Sequence, residues 1–241
     1  MCYNRKKAFT IIEVLLVISI IALMIAIITP SLRKARQSAR SVYCRSLLKQ
    51  YSTTHYSYFL NTNELLPIST QGSSGGTQPW FTLDEFRSYI GLQPLCEEYK
   101  IQDNRNIQRY KPSYPERFIC PSAMYALDNP EDSLYPIDRS YGLNAHIYPS
   151  ETVTTIHNPS QRICTADAMD WWFDYWECNK YETYGETWLG FNTSGEAAFR
   201  HSEKANTVYW DGHCASITAK QLRKTLLTSE KTGTGRRDRR R

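Results

Sequence analysis

Hydrophobic positions change character twice along the chain. Residues 9–30 are almost wholly apolar, a run of about the 20 residues that a helix needs to cross a bilayer. Residues 31–60 are mixed, with Leu32, Ala35, Ala39, Val42 or Tyr43, and Leu47 spaced near the helical period, which predicts an amphipathic helix continuing the first. Pro30 stands at the junction. It removes a donor and crowds the preceding turn, so a kink or a local melting is expected there. After residue 60 the apolar runs become short and turn-bounded. Residues 61–77, with Gly72 to Gly76 at their centre, predict an exposed loop, and residues 80–89 predict a short helix. Residues 102–117, rich in Asn, Arg, Gln and Pro, predict a surface connection. Strand character follows in residues 117–120, 162–167, 196–201, 206–210 and 213–217. Asp211-Gly212 separates the last two and predicts a two-residue hairpin turn. That register sets Trp210 opposite His213 and Val208 opposite Ala215 on one surface, with Tyr209 and Cys214 on the other.

Composition narrows the classes. The chain has 241 residues, 41% hydrophobic and 22% charged, which are globular proportions and exclude a disordered or collagen-like chain. A single long apolar run excludes a multi-span transporter or channel. The net charge of +5 hides an uneven distribution. Residues 1–50 carry nine Lys/Arg against one acid, residues 220–241 nine against two, and residues 51–219 eleven against twenty-one. The globular middle is acidic, so no nucleic-acid face is expected, and Arg33, Lys34, Arg36 and Arg40 are read as a solvated face beside lipid headgroups. Cys2 precedes the apolar run, and Cys44, Cys96, Cys120, Cys164, Cys178 and Cys214 follow it. These six fit an oxidising compartment and permit three disulfides in any of the fifteen connectivities, or remain in part buried thiols. No CxxC pair is present, which argues against a zinc ribbon or a thioredoxin-like redox site.

Arg5, Lys6 and Lys7 precede the apolar run and predict a cytoplasmic N-terminus with the remainder exported. A cleavable secretory signal has a shorter apolar core and a small-residue site after it, whereas this run is longer and ends in Thr29-Pro30-Ser31. Glu13 is the anomaly, since a carboxylate inside an apolar helix costs of order 2–3 kcal/mol and calls for a partner. A basic leader, a small residue, then Phe9-Thr10-Ile11-Ile12-Glu13 and an apolar helix resembles the class III signal of type IV prepilins and type II secretion pseudopilins. The resemblance implies cleavage by a prepilin peptidase between Ala8 and Phe9, methylation of the new amino terminus, and pairing of Glu13 with the amine of a neighbouring subunit. Ala8 stands where the family usually has Gly.

A second resemblance lies near the C-terminus. His201, nine residues, then Asp211-Gly212 is similar to the prepilin-associated H-x9-DG pattern, with Cys120-Pro121-Ser122, Ser140-Tyr141-Gly142-Leu143-Asn144 and Phe199-Arg200-His201 as further matching pieces. His201 and Asp211 invite a metal or catalytic reading. The blander one, in which His201 ends a strand and Asp211 serves the turn, is preferred. Asp167, Asp170, Asp174 and Asp211 match no calcium loop with ligands at fixed offsets, so no metal is assigned and no cofactor is expected. Residues 171–191 interleave Trp171, Trp172, Phe173, Tyr175 and Trp176 with acids, and offer either rings packed over the sheet or a contact surface for glycan or protein.

Together these readings predict an α+β protein of the pilin-like type, a long N-terminal helix on an antiparallel sheet. The expected organisation is a leader at 1–8, a transmembrane helix at 9–29, an amphipathic helix at 30–60, a globular domain at 61–219 and a basic, disordered tail at 220–241. The resemblance implies a non-enzymatic subunit of a type II secretion or type IV pilus-like filament. It would sit in the bacterial inner membrane as a single pass, with its C-terminal domain periplasmic or extracellular after assembly. Its partners would be prepilin peptidase, other pilin-like subunits and membrane lipid. Two rivals are a surface module binding glycan or a secreted protein through residues 171–191, and a membrane-anchored hydrolase using His201 and Asp211.

Overall fold

The computed structural model describes residues 10–62, 69–71, 77–92, 115–128, 139–145, 156–174, 181 and 195–232. The chain divides into two compact units, Met1–Ala39 and Arg40–Arg241. Helix α1, Ile11–Thr62, runs through the boundary. In the first unit it carries only exposed side chains among the described residues. Pro30 lies inside the helix without interrupting it, so the expected melting does not occur. Thr29 Oγ1 donates to Ile25 O and Ser31 Oγ to Ile28 O, both at 2.7 Å, which satisfies carbonyls in the turns around the imino acid.

In the second unit α1 buries Cys44, Leu47, Leu48, Tyr51 and His55, an i, i+3, i+4, i+7, i+11 stripe. The expected apolar face from Leu32 to Tyr43 is not buried: Leu32, Val42 and Tyr43 are all exposed, and the packed face begins one turn later. A strand pair, β1 (Ser69–Gln71) with β2 (Thr77–Pro79), stands within and beside the stretch read as loop. Backbone pairing needs no apolar side chains, so hydrophobic pattern does not reveal it. A 3₁₀ turn, Trp80–Thr82, leads into α2, Asp84–Tyr89, and a further short helix, α3, spans Met124–Asp128. Tyr51 meets Trp80, Phe86 and Tyr141 at ring separations of 6.1, 5.9 and 5.3 Å, and its hydroxyl donates to Phe118 O at 2.6 Å. This cluster is the centre of one core.

The main sheet has the order β5-β3-β4-β6-β7, with β3 at Tyr141–Asn144, β4 at Ile163–Asp167, β5 at Trp172–Phe173, β6 at Ala205–Tyr209 and β7 at Cys214–Ile217. All pairs are antiparallel except β3 with β5. One face, with Tyr141, Leu143, Cys164 and Val208, shares the core of α1. The other, with Ile163, Ala166, Ala205, Tyr209 and Ile217, packs on Leu222 and Leu226. A bulge in β4 between Ile163 and Thr165 lets Ile163 and Ala166 face the same side despite their odd spacing.

Three strand expectations change. Residues 116–118 form a 3₁₀ turn, and residues 196–201 contribute an isolated bridge, Ala168 with Ala197, in place of a strand. The hairpin pairs Val208 with Cys214 and Thr207 with Ala215, one residue away from the expected register. Its loop contains three residues, Trp210, Asp211 and Gly212. Gly212 N–H returns to Tyr209 O at 2.8 Å, and Gly212 has φ +82°, the turn plus left-handed residue that closes such loops. Consequently Cys214 shares the face of Val208, and Ala215 that of Tyr209. The tail expectation is also corrected: Ala219–Thr232 is a helix, α4. Thr218 N–H donates to Gln221 Oε1 at 2.9 Å and Gln221 N–H to Thr218 Oγ1 at 3.4 Å, a capping box, and Ala219, Leu222 and Leu226 cover the sheet. Residues 233–241, and the connection at 102–114, lie outside the described residues.

Two checks follow from close packing. A Cβ on Gly142 would lie 2.7 Å from Asp170 O and 2.9 Å from Ala168 Cβ, whereas one on Gly212 would meet the mobile end of Lys49. Gly142→Ala should therefore cost about 2–3 kcal/mol in urea unfolding, and Gly212→Ala about 1–2 kcal/mol from its left-handed backbone. His55 is buried among Trp80 and Phe86, and burial pushes its imidazole down to about 3. The folded state holds it neutral, so its contribution is complete above the unfolded value and is lost as pH falls from about 6.5 toward 3. His55→Phe should flatten the acid limb of stability against pH by up to about 1.4 kcal/mol per unit in that window; an unchanged slope would contradict the neutral buried ring.

Candidate functional site

Two places concentrate unusual chemistry. The first is the start of α1. Thr10 N–H donates to Glu13 Oε2 at 2.8 Å, Thr10 Oγ1 donates to the same oxygen at 2.9 Å, and Glu13 N–H returns to Thr10 Oγ1 at 3.3 Å. Glu13 thus closes a capping box, whose sequence signature is Thr-x-x-Glu before an apolar run. Ala8 and Phe9 lie outside the described residues. Among the described residues α1 is the one helix long and apolar enough to cross a membrane. Ile11, Leu15, Leu16, Leu23, Ile27 and Ile28 are each more than half exposed. The Ser19 hydroxyl is tied back to Leu16 O, so it too is satisfied inside the helix.

The second place surrounds His201. Cys44 comes from α1, Cys120 follows the 3₁₀ turn Glu116–Phe118, Asp167 ends β4, and His201 precedes β6. One ligand-type atom from each lies within 4.8 Å of all the others, and all four residues are buried. His201 Nε2 is 3.3 Å from Asp167 Oδ2 and 3.5 Å from Cys120 Sγ, and Cys120 Sγ is 2.8 Å from Cys44 Sγ. Asp167 Oδ2 also accepts Asn206 N–H at 2.7 Å, and Ser122 N–H points at Cys120 Sγ at 3.4 Å. Burial raises Asp167 to about 7. Burial works against ionising Cys120, yet its contacts with Cys44 and His201 and the charge of Arg200 hold it well below the ordinary thiol value. Cys44 is raised, first by its contact with Cys120 and then by burial. Burial would lower His201, but Cys120 and Asp167 raise it. A tetrahedral zinc with bonds of about 2.3 Å to sulfur sets its two sulfurs about 3.7 Å apart. The His201 distances suit such an ion. The sulfur pair does not.

The comparisons bear on the first place. Residues 3–29 match the prokaryotic N-terminal methylation motif. The N-terminal segment is prepilin-like. No curated protein and no solved structure matches the chain. The motif is that of pilin-like proteins processed by prepilin peptidase, and with the apolar helix behind it fits an inner-membrane anchor.

The two residues of the C-terminal pattern lie in separate surroundings. His201 joins Asp167 and Cys120, while Asp211 Oδ1 accepts His213 N–H at 3.1 Å and contacts its ring Nδ1 at 2.6 Å at the exposed hairpin end. Slight burial opposes it, but these His213 bonds hold the Asp211 carboxyl low. Asp170 is likewise a backbone clamp, accepting Trp171 N–H at 2.8 Å and Gly195 N–H at 3.4 Å. Of the remaining motif pieces, Cys120, Ser140 and Arg200 join the His201 neighbourhood, while Asn144 is tied to the far end of β4. Arg200 donates to Ser140 O and Ala168 O, each at 3.1 Å, and to Arg139 O, while Ser140 Oγ accepts Cys120 N–H at 3.3 Å and Asn144 Nδ2 donates to Ile163 O at 2.9 Å. Pattern matching found these fragments without showing that Cys44, Cys120 and Asp167 are the neighbours of His201. Of the aromatic segment, Trp171, Phe173 and Tyr181 pack against the two cores; residues 175–180 and 182–194 lie outside the described residues.

Arg200→Ala should cost about 2–4 kcal/mol because it strips several carbonyls of a charged donor. Asp211→Ala should cost about 1 kcal/mol or less, as an exposed turn contact does. Urea midpoints of the two variants measure the difference, and equal losses would contradict this division of labour.

Proposed function

We propose that the chain is a structural pilin-like subunit of a type II secretion or type IV pilus-like filament. It is cut between Ala8 and Phe9 by prepilin peptidase, methylated on Phe9, and assembled through α1. The observation that carries this reading is a methylation motif at residues 3–29 running straight into a helix whose apolar side chains have no cover within their own unit. Lipid supplies that cover before assembly, and sister helices supply it afterwards. The N-terminus stays cytoplasmic and the domain beyond α1 is exported, following Arg5, Lys6 and Lys7. The protein performs no catalysis of its own.

Glu13 has two duties in this reading. Its capping box starts the helix at the membrane surface, and its charge attracts the Phe9 amine of a neighbour once the helix leaves lipid, where an unpaired carboxylate is most costly. The rival contact surface at residues 171–191 draws less support, because the rings of Trp171, Phe173 and Tyr181 are engaged with the cores.

Intact-mass and N-terminal analysis of protein taken from its own membranes should find a mature chain that begins at methylated Phe9. Glu13→Gln keeps a hydrogen-bonding cap and removes the charge. It should insert and be processed normally, yet fall at least about tenfold in filament incorporation, the change that a loss of 1.4 kcal/mol produces. Normal incorporation of Glu13→Gln, or a chain still beginning at Met1, would overturn the proposal.

A further inference from the structure

Cys44 and Cys120 are separated by 76 positions in sequence, are both fully buried, and place their sulfurs 2.8 Å apart. Carbon atoms without a bond touch at about 3.5–4.0 Å, and sulfur is larger, so this separation is no resting contact between thiols. Two changes relieve it. A disulfide of about 2.05 Å draws the sulfurs together by less than an ångström. A tetrahedral ion requires them to separate by about an ångström, to roughly 3.7 Å. The smaller movement forms the bond, and the compartment implied by the proposed function is the oxidising one in which such bonds persist.

The surroundings of Cys120 add a direction to the chemistry. His201 Nε2 at 3.5 Å and Ser122 N–H at 3.4 Å both face its sulfur, and Asp167 Oδ2 lies 3.3 Å from that same ring nitrogen, so a proton held there is shared between the carboxylate and the sulfur. We infer that Cys44 and Cys120 are joined by a disulfide in the exported protein, with His201 and Asp167 as positioning residues that make Cys120 the attacking thiolate. The inference rests on the proposed function only in requiring that the domain be exported.

The oxidant is the disulfide of a thiol–disulfide oxidoreductase. Cys120 passes its proton to His201, whose positive charge Asp167 balances, and the thiolate attacks one sulfur of that disulfide. The oxidant's sulfur–sulfur bond breaks, a mixed disulfide forms, and the departing thiolate takes the proton from His201. Cys44 then attacks Cys120 Sγ; the oxidant sulfur bound to Cys120 in the mixed disulfide leaves with the Cys44 proton. Two electrons pass from the cysteine pair to the oxidant, which departs as a dithiol. Both sulfurs are buried in the finished fold, so the exchange takes place while α1 is still closing over the Cys120 turn. The product ties residues 40–62 of α1 to the domain, so the histidine of the H-x9-DG pattern serves a covalent staple.

The test uses full-length protein extracted from its membranes, with free thiols blocked at low pH before digestion. Peptides containing Cys44 and Cys120 should be recovered linked, two hydrogens lighter than their sum, and should separate on reduction. Recovery of both as blocked thiols, or of one equivalent of bound zinc with both free, would overturn the inference. The N-terminal residue of the same sample separates the two proposals. A linked pair in a chain beginning at Met1 would sink the subunit reading and leave the disulfide; blocked thiols in a chain beginning at Phe9 would do the reverse. For His201, reduced full-length protein is reoxidised by oxidised glutathione across a pH series. Wild type should reach half its maximal rate below the ordinary thiol value of about 8.5. His201→Gln should be about tenfold slower at neutral pH, with its profile moved to the alkaline side. A wild-type midpoint at the ordinary value, or an unmoved profile in a folded variant, would overturn the role of His201.

Discussion

An apolar helical surface with no cover of its own governs this protein. Every described side chain of α1 from Thr10 to Arg40 is exposed. A leucine-sized side chain left in water forgoes about 1.5–3 kcal/mol, so a run of this length cannot stand in aqueous solution. Its helix satisfies its own backbone, and its hydroxyls at Ser19, Thr29 and Ser31 bond to carbonyls within the same helix. Such a segment moves between lipid and other apolar helices without breaking a hydrogen bond. Glu13 is the one acid within the apolar run, and its carboxylate is held by Thr10 at the helix start. The cap reduces the number of unmet lone pairs while leaving the charge unbalanced. Under the proposed assembly, that remaining charge is what the amine of a neighbouring subunit would neutralise.

The domain beyond α1 solves a different problem, since its strands are short and its sheet must be covered on both faces. The buried stripe from Cys44 to His55 covers one face, and α4 covers the other. At the meeting point of α1, β4 and the segment before β6 sits the polar cluster of Cys120, Asp167 and His201, an expensive arrangement in an apolar setting unless its members satisfy one another. His201 Nε2 and Asp167 Oδ2 meet that need in part, with His201 Nδ1 and Asp167 Oδ1 left without a hydrogen-bond partner among the described residues, and Arg200 and Ser140 bond the surrounding backbone. The scattered C-terminal fragments are therefore best understood as one locking region. Asp211 and Gly212, ten and more positions from Phe199-Arg200-His201, shape a separate hairpin end whose function is to set the register of β6 and β7.

Much of this was legible from residue pattern. The apolar run, the continuing helix, β4, β6 and β7 all followed from periodicity, because each element has a strong signal of its own. What pattern could not supply was three-dimensional neighbourhood. The strand character of residues 117–120 comes from Phe118 and Ile119, which are buried, but by a 3₁₀ turn that leaves no ladder partner. The hairpin register missed by one residue because Asp-Gly also closes three-residue loops, where the glycine alone takes positive φ. In α4, Lys220, Arg223, Lys224 and Lys231 dominate the composition and mask the helix, although Thr218 and Gln221 announce its start and Ala219, Leu222 and Leu226 its buried stripe. His201 was singled out by resemblance, while its partners lie 157, 81 and 34 positions away in sequence, at Cys44, Cys120 and Asp167. No local rule connects such distances.

The central claim is that the exposed run of α1 exchanges lipid for sister helices. A photo-crosslinking residue at Leu23, in cells making the filament, tests it most directly. The account predicts lipid adducts in the unassembled membrane pool and subunit-to-subunit adducts in the assembled fraction. Lipid adducts alone in every fraction would contradict it.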